Sequence, residues 1–358
     1  MLPSKENILD AIKDSSNIME SRIKGFQYDK VKVGPLRGRM KYYTGGFGIV
    51  LPMLSSGVKS AFKVWYVDVS ELEYRLQQIE AYLQKVKLPY FVDFSFNSEG
   101  LRIPASIHDD DSGCDCLLKT LVMQWVEGDT LKDFLGKLLS ESPSLHKDDI
   151  KDIAEQLRCM FKDLHSVHIS HGDLQHGNII ITNEAGKNKV KLIDYDSLYV
   201  PALKGYKQTT AGLGGYQHPD RINGKYSDES TEKDDYFSEK ILYASLLVLS
   251  ECPELWNDPN AKIEDNDYGL LFFQTDFGAI EKSYTYKYAM EHCTSNAKKI
   301  LENIRTDLLS SINDIQPLDN IGFIDIPDKE PRSEGAYVVN GKLTKKGLET
   351  LRREDSYK

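Results

Sequence analysis

Residues 171–178 read His-Gly-Asp-Leu-Gln-His-Gly-Asn, and residues 192–196 read Leu-Ile-Asp-Tyr-Asp. The first stretch is followed by the β-branched run Ile179–Ile181, and the second ends a largely apolar run that begins at Val190. The turn-forming sequence Asn-Glu-Ala-Gly, at 183–186, separates the two runs. Two short β-branched runs joined by such a turn predict a β-hairpin.

This hairpin would bring Asn178 and Asp194 together at one of its ends, with Asp173 close by. Two carboxylates and an amide, with no basic residue among them, offer the hard oxygen atoms that suit Mg²⁺. The ion usually keeps several waters and shares a phosphate of the substrate, so it needs few protein ligands. We therefore predict that these three side chains form a magnesium site. The alternative is an acidic turn that flanks two strands.

The composition is that of an ordinary globular protein: the 358 residues are 40% hydrophobic and 28% charged, and the net charge is −10. This negative charge argues against nucleic acid or an anionic membrane as the main partner. The sequence has no apolar run of about 18 residues, the length that a membrane span needs, and it begins without an apolar signal core. A cytoplasmic location is expected, and the five scattered cysteines are expected to be reduced thiols.

The two motifs resemble the catalytic loop and the metal-binding motif of the protein-kinase-like phosphotransferases, H-R-D-x-x-x-x-N followed by D-F-G. The resemblance covers roughly residues 40–312. It implies an α+β, bilobal protein-kinase-like fold, with a small antiparallel β-sheet and helix C in the N-lobe and a mostly helical C-lobe. The expected parts are an N-terminal helical extension, the two lobes and a C-terminal tail, at residues 1–36, 37–125, 126–316 and 317–358. The extension is predicted as a short helix that packs on the first lobe or serves as a partner-binding arm.

Tyr43–Val50 resembles the glycine-rich loop that covers nucleotide phosphates, although Tyr43 replaces the first glycine. Taken alone, this stretch fits a glycine-rich hairpin turn better than a phosphate-binding loop. Ala61-Phe62-Lys63 resembles the A-x-K of kinase strand three, which makes Lys63 the ligand of the α- and β-phosphates. The resemblance implies a helix C glutamate that pairs with Lys63, and helical spacing over 70–87 makes Glu80 the candidate, with Glu73 as the second choice. The alternative for Glu80 is an ordinary exposed glutamate. The residues implied to contact nucleotide in this region are Gly45, Gly46, Phe47, Gly48, Val50, Ala61 and Lys63.

Residues 121–131 resemble the kinase hinge, the connection that contacts the adenine ring. The resemblance makes Met123 the gatekeeper beside adenine. It assigns the adenine edge to the backbone of Gln124 and Val126, and the ribose to Asp129. The implied cofactors are ATP and Mg²⁺. The resemblance implies Asn178 and Asp194 as the metal ligands and Asp173 as the group that accepts the proton of the acceptor hydroxyl.

Several positions depart from the kinase pattern. Gly172 replaces the arginine that reads a phosphorylated activation loop, which predicts activity without such phosphorylation. Gln175 replaces a lysine, Asp196 replaces the glycine of D-F-G, and Leu213 replaces a threonine of the substrate-docking loop. Because Lys63, Glu80, Asp173, Asn178 and Asp194 are all present, these departures leave the predicted nucleotide and metal side chains intact.

Three functions fit the motifs. The first is a serine/threonine protein kinase, the second a small-molecule kinase resembling the aminoglycoside and choline phosphotransferases, and the third a pseudokinase or nucleotide-binding scaffold. Residues 131–165 leave no room for the helical insert that cradles small substrates in the second class. Residues 192–203 and 216–219 also resemble a bacterial kinase-like group, often encoded beside a PP2C-type phosphatase and a von Willebrand A-type protein. That likeness implies a protein substrate and these two possible partners.

Overall fold

The computed structural model describes residues 3–322 except 56, 109–112 and 142, together with 338–339 and 342–343. The chain divides into two compact units, residues 1–321 and 322–358. In the second unit, β10 (Val338–Val339) and β11 (Lys342–Leu343) pair antiparallel. None of the helices in the described ranges has the length and apolar character that a membrane span requires.

The N-terminal part of the first unit contains a six-stranded sheet in which the paired strands are antiparallel. Its strands are β1 (Gln27–Tyr28), β2 (Tyr43–Thr44), β3 (Gly48–Ser55), β4 (Val58–Trp65), β5 (Phe94–Ile103) and β6 (Cys116–Gln124). The path through the sheet is β1-β3-β4-β6-β5, and β2 pairs with β3 beside β1. The central strand β4 therefore has a partner on each side, so its side chains, including that of Lys63, are held firmly.

The N-terminal residues are part of this lobe. Helix α1 (Lys5–Ile12) begins with a reciprocal capping box, in which the Asn7 amide donates to Ser4 Oγ at 3.2 Å and the Ser4 amide donates to Asn7 Oδ1 at 2.8 Å. Its residues Ile8 and Ile12 are buried in one core cluster with Leu51 of the sheet. The structure thus selects the packed helix from the two predicted alternatives for this segment.

Helix α2 (Leu72–Val86) lies over the sheet in the place predicted for helix C. It ends at Lys87, which adopts left-handed φ and donates its amide to the carbonyl of Leu83 at 3.0 Å. One side of the helix is buried, and it carries Leu72, Arg75, Leu76, Ile79 and Leu83. The apolar spacing in the sequence predicted this side but not the arginine within it.

The rest of the first unit is mostly helical. Its α-helices are α3 (Leu131–Glu141), α4 (Lys147–Ser166), α5 (Pro219–Ile222), α6 (Tyr236–Glu251), α7 (Tyr284–His292) and α8 (Ser295–Asp307). Helix α6 is buried from Phe237 to Ser250 and packs against both α4 and α8, as its apolar sequence predicted. Its polar residues are paired: Lys240 Nζ lies 2.6 Å from Asp307 Oδ2, and Glu239 Oε2 lies 2.9 Å from His165 Nε2.

A three-stranded sheet joins these helices to the catalytic motifs. It consists of β7 (Asp129–Thr130), β8 (Ile179–Glu184) and β9 (Lys187–Leu192), all antiparallel. Strands β8 and β9 form the predicted hairpin, and Ala185 and Gly186 both have positive φ in its tight turn. This hairpin fixes the relative position of the sequence motifs that precede β8 and follow β9.

Candidate active site

The hairpin brings the two motifs together at its open end. Ile179 pairs with Leu192, and the amide of Ile193 donates to the carbonyl of Asn178 at 3.0 Å. The residues that flank these positions, Asn178 and Asp194, are consequently neighbours, as the hairpin prediction required.

The loop at 171–178 is tied to the buried helix α6. The amides of His171 and Gly172 both donate to the carboxylate of Asp235, which directly precedes that helix; the Gly172 bond is 3.0 Å long. His171 Nε2 donates to the carbonyl of Ile193 at 2.9 Å, so the same histidine also holds the second motif. These bonds fix the backbone of both motifs to one rigid helix.

Position 172 requires glycine because of its backbone geometry. Its φ is +77°, and a Cβ at this position would lie 2.3 Å from the carbonyl oxygen of Ser197. Its own carbonyl accepts a hydrogen bond from Arg221 Nη2 at 2.7 Å. A larger residue such as the arginine of the kinase pattern would clash here, and the guanidinium beside this loop comes from helix α5 instead.

Asp173 and Asn178 form a polar pair within the loop. Asn178 Nδ2 donates to the carbonyl of Asp173 at 2.8 Å and to its Oδ2 at 3.1 Å. The other carboxylate oxygen, Asp173 Oδ1, is buried and has no hydrogen-bond partner among the described residues. Burial raises the pKa of Asp173. An oriented carboxylate with one unused oxygen is suited to accept a proton from a bound hydroxyl.

Lys63 reaches this group from β4. Its Nζ lies 2.5 Å from Asp194 Oδ1 and 2.6 Å from Asp196 Oδ2. Although burial lowers it, the pKa of Lys63 is raised by these two carboxylates. The ammonium group of Lys63 lowers the pKa of Asp194 below its usual range. The structure thus joins the phosphate-binding lysine predicted from strand three to the predicted metal-binding aspartate.

The predicted ion pair between Lys63 and Glu80 is not formed. Glu80 lies just outside the buried side of α2, where Gln84 Nε2 donates to its Oε1 at 3.4 Å. It lines a cavity of about 350 Å³ together with residues that include Phe91 and Asp93. The second choice, Glu73, is exposed and accepts a hydrogen bond from Gln77 at 3.3 Å. Neither glutamate faces Lys63, because the buried positions of α2 carry other residues.

The carboxylate that replaces Glu80 was missed by sequence reasoning. Asp196 is buried, and its Oδ2 accepts from Trp65 Nε1 at 3.1 Å as well as from Lys63. Two signals in the sequence point to it: an acid stands at the glycine position of D-F-G, and Trp65 stands two residues after Lys63. Side chains two apart on a strand share a face, so the strand presents both donors to one acceptor.

The glycine-rich stretch forms the hairpin between β2 and β3. The Gly45 amide donates to the Gly48 carbonyl at 3.0 Å, and Phe47 is half-buried between them. A Cβ at Gly48 would lie 2.5 Å from the carbonyl oxygen of Val64, whereas Cβ atoms at Gly45 and Gly46 would meet nothing within 4 Å. Only Gly48 is required by packing. Gly45 already uses its amide, whereas within the described ranges no hydrogen bond uses the amide of the exposed Gly46, which is open to a ligand such as a phosphate.

The hinge follows β6. Met123 is buried and pairs in register with Ala61, and Val50 pairs with Lys63. The amide of Gln124 donates to the carbonyl of Asp93 at 3.0 Å.

Within the described ranges, no hydrogen bond of the structure uses the amide of Val126. Asp129, predicted near the ribose, pairs with Lys137 Nζ at 2.5 Å. Of the backbone groups predicted to contact adenine, the amide of Gln124 is therefore occupied and the amide of Val126 is open.

The oxygen donors fit a magnesium ion that is shared with a nucleotide. In the part of the chain that the structure describes, no group of three or more His, Cys, Asp or Glu could hold a metal by itself. Asn178 and Asp194 would supply two oxygen ligands, and Mg²⁺ at such sites takes its other ligands from phosphates and water. The two-lobed α+β fold and this constellation together define a protein-kinase-like protein.

Comparison with known proteins agrees with this class. The family model described as protein kinase domain matches residues 112–309, which is more than half of the chain. The chain belongs to the protein kinase domain family, and the predicted fold class is confirmed. The match begins near β6, so the glycine-rich hairpin and Lys63 precede it.

Individual relatives are serine/threonine-protein kinases. The chain is 32% identical over 129 residues to RAD53 of Saccharomyces cerevisiae, covering 36% of this chain and 15% of that protein. It is 28% identical over 200 residues to PknA of Nostoc sp., covering 53% of this chain and 33% of that protein. With human serine/threonine-protein kinase D3 it shares 23% identity over 169 residues, 46% of this chain and 18% of that protein. The chain thus spans a third or less of the length of these relatives.

Proposed function

We propose that this protein is a serine/threonine protein kinase that transfers the γ-phosphoryl group of Mg-ATP to a protein hydroxyl. The observation that carries the proposal is the contact of Lys63 with Asp194, at 2.5 Å, beside the unused oxygen of Asp173. Phosphoryl transfer depends on positioning and on neutralisation of charge, and these three groups supply both. The relatives RAD53 and PknA are serine/threonine-protein kinases, which supports the same class of acceptor.

Each side chain has a proposed role. Lys63 binds the α- and β-phosphates, and the open amide of Gly46 at the tip of the glycine-rich hairpin covers them. Asn178 and Asp194 would hold Mg²⁺, which supplies positive charge to the phosphate oxygens. Asp173 orients the acceptor hydroxyl and takes its proton.

The proposed adenine site lies at the hinge. Ala61 and Met123 pair across β4 and β6 and would form the wall beside the ring. The open amide of Val126 and the carbonyl of Gln124 would bond its edge. Asp129 would have to exchange its contact with Lys137 for a ribose hydroxyl.

The segment after the metal-binding motif favours a protein acceptor over a small molecule. Tyr216 is buried, and its hydroxyl lies 2.6 Å from His176 Nδ1. Burial lowers the pKa of His176 to about 4, so this ring is neutral and shares one hydrogen bond with the tyrosine hydroxyl. The contact holds residues 213–220 beside the catalytic loop, where kinases keep the loop that docks the substrate.

Incubation with γ-labelled ATP and Mg²⁺, alone and with a cell lysate, tests the proposal. Label on protein bands that depends on Lys63 is the expected result, and the variant Lys63→Met is the control. Label that appears only in small metabolites would identify a small-molecule kinase instead. Absence of transfer under all these conditions would contradict the proposal and favour a pseudokinase.

We expect activity without phosphorylation of the segment after Asp196. Arg221, which lies where a phosphate-reading arginine would be needed, is already used by neutral acceptors. Its Nε donates to Gln208 Oε1 at 3.1 Å, and its Nη1 donates to Gln217 Oε1 at 2.9 Å and to the carbonyl of Asp234 at 3.0 Å. The segment is therefore held in place by uncharged groups.

Phosphatase treatment tests whether activity requires phosphorylation of the segment after Asp196. Protein expressed with and without a co-expressed phosphatase should show the same initial rate of label transfer, with phosphate removal verified by intact mass. A loss of activity that returns on rephosphorylation would contradict the expectation.

Membership of the kinase family implies a protein substrate. The PP2C-type phosphatase and the von Willebrand A-type protein stay proposals that rest on the sequence resemblance alone, as does the cytoplasmic location. Co-purification from the native cell, followed by identification of the bound proteins, tests both partners.

A further inference from the structure

We propose that Asp196 is the positioning residue of Lys63, and that it takes the place of the helix C glutamate of the kinase pattern. The inference rests on the proposed function. Asp196 holds the ammonium group in place for the phosphates while Asp194 turns to the metal.

The geometry separates the two carboxylates. The Asp196 side chain is 7% exposed and that of Lys63 is 13% exposed, whereas that of Asp194 is 44% exposed. Asp196 Oδ2 accepts from Lys63 Nζ at 2.6 Å and from Trp65 Nε1 at 3.1 Å. Two donors from one strand fix this oxygen, because Lys63 and Trp65 both belong to β4.

The more exposed carboxylate is free to change partner. If Asp194 were the single counter-ion of Lys63, metal binding would draw that charge away from a largely buried ammonium group. A buried charge that loses its partner is strongly destabilised. Asp196 remains in contact with Lys63 throughout, so Asp194 can serve the metal without this penalty.

Helix α2 contributes a different contact. In the kinase pattern, the lysine is held by a glutamate on helix C, so movement of that helix controls activity. Here α2 presents Arg75, which is buried and whose Nη1 donates to the carbonyl of Lys207 at 3.0 Å. The helix thus binds the segment that follows Asp196, and Lys63 takes its position from β4 and residues 194–196.

The test is nucleotide affinity, measured with a fluorescent ATP analogue in Mg²⁺ and again in EDTA. Asp196→Asn keeps the size of the side chain and an acceptor for Trp65 but removes the charge. Because a charge-assisted hydrogen bond is lost, we expect the Kd in Mg²⁺ to rise about tenfold or more. In EDTA, where Asp194 stays with Lys63, the Kd should change little. A merely structural role would raise both values.

A double-mutant cycle identifies the residue through which Asp196 acts. Added to Lys63→Met, the change Asp196→Asn should alter the Kd less than about twofold, since the coupled partner is already absent. Trp65→Phe removes the second donor and should give a smaller rise in Kd, which provides a test should Asp196→Asn fail to fold. Asp68→Asn is the matched control: it removes an exposed charge of the same lobe, 3.4 Å from Lys119.

Several outcomes overturn the inference while the proposed function stands. They are parent-like affinity of Asp196→Asn in Mg²⁺, additivity with Lys63→Met, and an equally large loss in Glu80→Gln, which would show that Glu80 moves to Lys63 when nucleotide binds. Failure of the parent protein to bind the analogue in Mg²⁺ would overturn the proposed function together with the inference.

Discussion

Asp173→Ala is expected to lower the rate of phosphoryl transfer by about 10²–10⁴-fold while nucleotide still binds. The unused oxygen of Asp173 is buried beside Asn178 and is free to accept a proton. Lys63 and Asp194 contact each other independently of Asp173, so the phosphate and metal ligands remain. The measurement is the initial rate of label transfer, with the Kd of a fluorescent ATP analogue measured in parallel.

Asp173→Asn removes the proton acceptor without leaving a cavity, and this variant should also transfer label slowly. Asp228→Asn, which alters an exposed carboxylate 3.9 Å from Lys207, is the matched control and should transfer label at the parent rate. An Asp173→Ala protein that phosphorylates as fast as its parent would rule out the proposed role of this residue.

Asp307→Ala is expected to lower the free energy of unfolding by about 3–5 kcal/mol, the usual cost of breaking a buried ion pair. Lys240 Nζ lies 2.6 Å from Asp307 Oδ2, and the two side chains are only 1% and 10% exposed. Burial raises the pKa of Asp307 in spite of the lysine, which shows how strongly this site disfavours charge. Removal of the aspartate leaves an unpaired ammonium group on the central helix α6. Urea unfolding measures the change.

Replacement of both Lys240 and Asp307 shows whether the loss of stability comes from the unpaired charge or from lost packing. Lys240→Met combined with Asp307→Leu leaves no buried charge, so its stability should return most of the way to that of the parent. Asp10→Ala is the matched control, because Lys13 and Asp10 are also 2.6 Å apart but are 63% and 55% exposed. Its midpoint of unfolding should stay close to that of the parent. Equal losses for Asp10→Ala and Asp307→Ala would contradict the explanation.

Local sequence was sufficient to predict the hairpin of β8 and β9, here called the catalytic hairpin because it joins the two motifs. The run Ile179–Ile181, the turn at 183–186 and the return to Leu192 depend on neighbouring residues only, and they formed the predicted pairing. The same holds for helix α6, whose apolar residues on every side predicted a core position. These features follow from periodicity and turn chemistry, which act over a few residues.

Short-range sequence patterns could not identify Asp196 as the partner of Lys63. Asp196 lies 133 positions further along the chain, and its contact depends on how β4 meets the hairpin of the other lobe. Glu80 was predicted from helical spacing, but a rotation of about 100° per residue decides which side of a helix is buried. On α2 that side carries Arg75 and Ile79 instead of Glu80.

The sequence by itself determined the order of motifs, the catalytic hairpin and the central apolar helix, because each of these depends on short-range patterns. Only the tertiary structure decided that α1 belongs to the core of the first lobe and that Asp196, rather than a glutamate of α2, pairs with Lys63. The physical reason is that a buried charge is stabilised by whichever opposite charge the packing of distant elements brings within contact.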